Sequence, residues 1–183
     1  IFNWETGCSF PLRGAPDRQY GLYVSNVLAR RAVRQNCPYI PYWNSSPYGG
    51  GIPQSQDVGD VHYWGDAMMN PEMERRIDPF VYDAVSARFV SEYGYIGPAP
   101  LVSVREYMGG CPLDPDSRVW KMHTNTFEAN TVRAGICKHY TERSISLDEY
   151  LLYAGLVQGT LLGYSLEAFR AGFEKVMGKG SCH

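Results

Sequence analysis

Three short β-prone segments, separated by long crossovers and not by tight two-residue turns, constrain this chain more than any other feature. They are Tyr39-Ile40-Pro41-Tyr42-Trp43, Asp60-Val61-His62-Tyr63-Trp64 and Ala87-Arg88-Phe89-Val90-Ser91. Antiparallel neighbours can be joined by a hairpin, whereas parallel neighbours need a crossover of a dozen residues or more. The order helix, strand, strand, strand, helices therefore predicts an α/β fold with a parallel sheet. Three strands cannot close a barrel, and a parallel sheet needs cover on both faces. The segments thus read as part of a larger fold.

The flanking helices follow from periodicity and caps. Tyr20, Val24, Val27 and Leu28 fall at i, i+4, i+7 and i+8, which predicts a helix from Asp17 to Cys37 stopped by Pro38. Asn70 before Pro71 predicts a helix start, with Glu72, Met73 and Glu74 in its first turn. Ser103 with Glu106 reads as a capping box for a helix ending at Gly109-Gly110. Phe127 to Tyr140 is a further helix. Ser146 with Glu149 is a second capping box. It opens a long helix with an apolar stripe through Leu147, Tyr150, Leu151, Ala154, Val157, Leu161, Tyr164 and Ala168, closed by Gly178 and Gly180. No linker or internal repeat divides the 183 residues, so a single domain is expected over 1–183.

Composition excludes several classes. The formal charge is -2 with both signs mixed along the chain, which gives no basic stripe for nucleic acid. No apolar run is long enough to cross a bilayer, so no membrane partner is expected. The first residue is Ile1, which reads as an excised or processed piece, and the compartment is not legible. Cys8, Cys37, Cys111, Cys137 and Cys182 are scattered and odd in number. They offer neither a complete internal disulfide set nor zinc spacing, so no metal is expected. The apolar fraction of 44% is enough for a core.

The chemistry concentrates at the ends of the three segments. In Phe89-Val90-Ser91-Glu92-Tyr93-Gly94-Tyr95 a β-prone run leads into one acid, and glycine follows. A carboxylate at the C-terminal end of a parallel strand is where α/β barrels place their chemistry. A tyrosine hydroxyl near it holds it ionised and aimed, which suits a covalent nucleophile. The plainer role for Glu92 is a helix cap or a partner of Arg88. His62, Tyr63 and Trp64 suit a hydroxyl donor beside an aromatic platform, although a strand histidine is more often a satisfied core residue. Asn44-Ser45-Ser46-Pro47 reads as a turn of small polar residues. Its Asn-Ser-Ser sequon is discounted at a strand end. No G-x-S-x-G elbow surrounds Ser45, which argues against a Ser-His-Asp nucleophile there. Glu5, in Asn3-Trp4-Glu5-Thr6, is a further acid in an aromatic setting.

Together the segments resemble family 2 of the glycoside hydrolases, and within it the β-mannosidases. That family carries its retaining nucleophile in a Phe-x-Ser-Glu-aromatic-Gly-aromatic segment on the seventh barrel strand, matched by Phe89 to Tyr95. Its sixth strand carries Gly-Asp-Val-His-Tyr-Trp, matched by Gly59 to Trp64. Its fifth carries Pro-Tyr-x-x-Ser-Ser-Pro, matched by Pro41 to Pro47. Val119-Trp120 with His123, and Gln158, Tyr164 and Phe169-Arg170, look like the helical layer that follows.

The resemblance implies a partial (β/α)8 barrel, about strands five to seven with flanking helices. It implies a parent that is a retaining exo-β-glycosidase, with terminal β-mannosides as substrate and no cofactor. Glu92 would be the nucleophile, and His62, Tyr63, Trp64, Asn44, Ser45 and Tyr95 would line the sugar site. Tyr95-Ile96-Gly97-Pro98 departs from the family's Gln-Ser pair, which leaves β-galactosidase, β-glucuronidase and exo-β-glucosaminidase open. The Gly-Asn-Asn segment bearing the acid/base glutamate has no match. A non-catalytic carbohydrate-binding fragment, or a module that completes a barrel with another chain, therefore also remains open. The isolated chain is expected to be inactive and to associate, with the rest of its own barrel or with itself.

Overall fold

The computed structural model describes residues 23–48, 55–57, 59–124 and 128–178. Glu5, the start of the first expected helix from Asp17 to Tyr20, Gly49 to Gly51, Cys8 and Cys182 lie outside the described residues. The chain forms two compact units. One comprises Ile1–Tyr63 with Ser86–Tyr93, and the other comprises Trp64–Val85 with Gly94–His183.

In the first unit a π-helical stretch, Val24–Ala29, runs into α1, Arg30–Asn36. The expected helix is there, but its expected buried face is not. Val24, Val27 and Leu28 are exposed, and Ser25 is the buried residue. The i→i+5 winding is the physical reason. A stripe laid out at 3.6 residues per turn loses its alignment over such a stretch.

Two strands follow, β1 (Val61–Tyr63) and β2 (Val90–Tyr93), paired in parallel. The parallel relation agrees with the sequence expectation. Two other expectations are corrected. Tyr39 to Trp43 forms no strand; Tyr42 instead donates its hydroxyl to the Ser25 carbonyl at 2.6 Å. The segment's link to the sheet is a single antiparallel bridge between Tyr48 and Asp60. The third expected strand is shifted towards the C-terminus, and it is not buried: Phe89 is 61% exposed, and Ser91 and Glu92 are exposed. Among the described residues β2 pairs with β1 alone, so its outer edge lacks the cover that buries a strand inside a larger parallel sheet. The fold is thus mixed helix and strand with a small two-stranded parallel sheet.

The helical unit contains α2 (Met73–Arg76), a 3-10 turn (Pro79–Ala84), α3 (Leu101–Met108), α4 (Arg118–Met122), α5 (Glu128–His139) and α6 (Leu147–Gly178). The Ser146–Glu149 capping box forms as expected. Glu149 Oε2 accepts from the Ser146 backbone N–H at 2.9 Å, and Ser146 Oγ accepts from the Glu149 N–H at 3.3 Å. The Ser103–Glu106 box does not form, because the helix begins earlier, at Leu101 after Pro100. Proline fixes an extended residue at the cap, which leaves Ser103 inside the first turn. Gly109, with φ 58°, ends α3 in the left-handed conformation that glycine adopts without penalty.

Asn70 accepts from the Glu72 N–H at 2.9 Å, and α2 starts later than the sequence suggests. The stripe on α6 is buried through Tyr150, Leu151, Ala154, Val157 and Leu161. These residues form one core with Val104, Met108, Trp120, Val132 and Ile136.

Candidate functional site

The register of the two strands is irregular, and that irregularity builds the site. Val61 pairs with Val90, but His62 pairs with Glu92, so Ser91 is the extra residue on β2. Successive side chains of a regular strand point to opposite faces, which would separate Ser91 from Glu92. A bulge re-aims one of them. Here both reach groups on the β1 side. Ser91 Oγ donates to Asp60 Oδ2 at 2.6 Å, and Glu92 Oε2 lies 3.0 Å from His62 Nδ1. Asp60 and His62 are two residues apart, so they share a face of β1 and its approach.

The Asn44 to Pro47 turn closes the arrangement. Ser45 is buried and donates its hydroxyl to the Pro47 carbonyl at 2.8 Å, and the Ser46–Pro47 peptide is cis. Ser46 Oγ lies 2.6 Å from Asp60 Oδ2, 2.9 Å from His62 Nε2 and 3.1 Å from Ser91 Oγ. Asp60 is buried and accepts two hydroxyls on Oδ2, while Oδ1 is buried without a hydrogen-bond partner. Such a group stays in place only when the remaining contacts offset its desolvation. A cavity of about 510 Å³ opens over this network, lined by Trp43, Asn44, Ser46, His62, Ser91 and Glu92 among others.

The order Ser46–His62–Glu92 matches the hydroxyl–imidazole–carboxylate sequence of a nucleophilic triad. The Asp60 carboxylate argues against that chemistry. At 2.6 Å it is the stronger acceptor for the Ser46 proton, in the range of charge-assisted O–H···O⁻ bonds. A triad needs that proton on the imidazole.

The expected site residues divide. His62, Glu92, Asn44 and Ser45 line the cavity. Tyr63 belongs to the same unit but is buried. Trp64 and Tyr95 belong to the helical unit. Trp64 is half-buried against the helical core. Tyr95 is buried, its hydroxyl donates to the Thr131 carbonyl at 2.7 Å, and its own carbonyl accepts from Gln158 at 2.9 Å. Burial, with a smaller contribution from Tyr150, holds the Tyr95 phenol protonated well above the ordinary range. Its polar group is spent on packing. His62 likewise has both ring nitrogens engaged by protein groups, so it holds Glu92 and is not an unoccupied donor.

Sequence reasoning missed Ser46, Asp60, Ser91 and Trp43. Asp60 and Ser91 lie inside the quoted segments, but nothing in the sequence places them on one carboxylate. Trp43, 51% exposed, stands 4.7 Å from the Tyr48 ring, centroid to centroid, and is the tryptophan that the cavity presents. Among the described residues no cluster of three His, Cys, Asp or Glu side chains could hold a metal, and no helix is long and apolar enough to cross a membrane.

One comparison with solved structures supports a glycosidase-like fold. The chain is similar to part of the crystal structure of a β-D-mannosidase from Dictyoglomus thermophilum. The TM-score is 0.65 with 26% identity, covering 91% of this chain and 20% of that one. The chain thus spans about a fifth of the length of the enzyme it matches. No family model matches the sequence, and no curated protein matches it.

Proposed function

We infer that the chain is part of a retaining exo-β-glycosidase acting on terminal β-mannosides, with Glu92 as the nucleophile. The observation that carries this reading is the position of Glu92. It lies on a parallel strand, beside a cavity that Trp43 also lines, with one carboxylate oxygen 3.0 Å from His62 Nδ1. Likeness to a mannosidase supports the same reading. In this mechanism Glu92 attacks the anomeric carbon to form a glycosyl-enzyme, and a second carboxylate protonates the leaving oxygen and then activates water. In retaining enzymes the two carboxyl groups stand roughly 5–5.5 Å apart.

Asp60 is a poor candidate for the second carboxylate, because it is buried and committed to two serines. The acid/base is assigned to sequence outside the described residues. The exposed face of Trp43 and the Asn44 amide would meet the glycone. β1 and β2 are read as about the sixth and seventh strands of a (β/α)8 barrel, with Pro41 to Pro47 as the fifth-strand segment and the remainder of that barrel as partner.

The test uses the full-length parent on a panel of aryl β-glycosides with a 2-deoxy-2-fluoro mannoside as trap. Glu92 should carry the label, and Glu92→Gln should lower kcat by several orders of magnitude with the fold intact. Label on another residue sinks the nucleophile assignment. Preference for galactosides, glucuronides or glucosaminides would leave the glycosidase reading and remove the mannoside one.

A further inference from the structure

We propose that the outward face of α6 is a self-association surface, on which a second copy of this chain docks antiparallel about a two-fold axis at Gly159. A surface helix ordinarily turns apolar side chains to the core and charged ones to solvent. α6 departs from that pattern. Its inward side packs Tyr150, Ala154, Val157 and Leu161 into the core of the helical unit. The opposite side should then be charged, yet no charged residue occurs between Glu149 and Glu167. At 3.6 residues per turn, Leu152, Gly155, Leu156, Gly159, Gly163 and Leu166 fall within one sector of about 100° opposite the core. All six are exposed, Leu152, Leu156 and Leu166 by 58%, 43% and 62%.

The shape of this face suits another helix. A Cβ added at Gly155, Gly159 or Gly163 would meet nothing within 4 Å. Packing within the chain therefore does not require glycine at these positions, and each one weakens a helix relative to alanine. What glycine permits at i, i+4 and i+8 is the close approach of a second backbone. A cavity of about 530 Å³ adjoins the face, lined by Leu152, Gly155 and Leu156 with Pro98 and Leu101 among others. It offers a recess for an apolar side chain.

The symmetry of the face selects its occupant. A two-fold contact pairs each residue before the axis with the residue equally far beyond it on the other copy. About Gly159, Gly155 pairs with Gly163 and Leu152 with Leu166. Leucines then flank the glycine contact on both sides, and Leu166 of one copy meets the recess beside Leu152 of the other. Charge closes both ends. Asp148 and Arg170 lie eleven residues before and after Gly159, in the same sector, and both are exposed. Among the described residues neither is in an ion pair. An antiparallel copy crossing at about 20° brings each Asp148 to the other copy's Arg170. A parallel copy would set Asp148 against Asp148 and Arg170 against Arg170.

The experiment is sedimentation equilibrium of the 183-residue chain over a range of concentrations, with thermal unfolding as the check on folding. The unmodified chain should be a concentration-dependent dimer. Gly159→Leu has room for its side chain within one copy, so it should unfold no earlier than the unmodified chain and sediment as a monomer. Asp148→Arg should raise the dimer Kd about tenfold by setting like charges together, and Arg170→Asp should do the same. The double charge swap should recover most of the loss. Should Gly159→Leu fail to fold, the charge swap decides alone. A chain that is monomeric at every concentration overturns the proposal and leaves the face to another segment of a longer protein. A dimer that survives Gly159→Leu, or that is indifferent to the charge reversals, also overturns it and moves the contact to another surface, such as the outer edge of β2.

Discussion

Replacing Gly135 by alanine should destabilise the helical unit, although Gly→Ala inside a helix ordinarily stabilises by about 1 kcal/mol. A Cβ at Gly135 on α5 would collide with the Tyr95 hydroxyl and stand 3.0 Å from Val157 Cγ1. Tyr95 is buried and its hydroxyl is bonded to Thr131, so the ring has little room to retreat. Overpacking costs roughly 1–3 kcal/mol. Pulling the hydroxyl from its acceptor adds about 1–3 kcal/mol. After the propensity gain the net loss is about 3 kcal/mol.

Tyr95→Phe alone removes one hydrogen bond and should cost about 1 kcal/mol. It also removes the atom in the way. The double variant should therefore lose only about 1 kcal/mol, where independent effects would lose about 4 kcal/mol, a coupling well above the ~0.5 kcal/mol scatter of additive pairs. Equilibrium urea unfolding of the four proteins measures this directly. A stabilised Gly135→Ala, or an additive cycle, would refute the reasoning and return Tyr95 to the list of residues available to a ligand.

Two further outcomes follow from the helical unit. Glu149 is held at about 2, from an ordinary 4.5, by its hydrogen bond to Arg143 first and the Ser146 backbone second. A lowered carboxylate stabilises above its unfolded value, so the cap of α6 should be intact above pH 4.5 and loosen as pH falls towards 2. Amide exchange at Leu147 to Tyr150 should rise over that window, and exchange that is flat there counts against the box. Trp64→Ala should cost about 2 kcal/mol of stability, below the 3–5 kcal/mol of a fully buried ring because Trp64 is half-buried. A variant of normal stability would free Trp64 for the platform role that its sequence segment suggests.

Local signals were legible where the chemistry is local. The Ser146–Glu149 box, the glycine stop after α3 and the α6 stripe each depend on residues within a turn or two of one another. A capping pattern or a 3.6-residue stripe carries that information directly. The parallel pairing of β1 and β2 was also readable, because a long crossover rules out a hairpin. What the residues could not reveal depends on groups far apart in the chain. The bulge at Ser91 is a matter of register between two strands. It decides which of two neighbouring side chains faces Asp60 and which faces His62. The turn at Ser46 joins them across 14 and 16 residues. Tyr95 and Trp64 read as site residues because they adjoin Glu92 and His62 in sequence. Packing assigns them to the helical core, where burying a large ring outweighs the local pattern. Sequence fixes which side chains are available and how each short stretch prefers to turn. Which of them meet is decided by register and packing, whose energies are sums over contacts that no single segment contains.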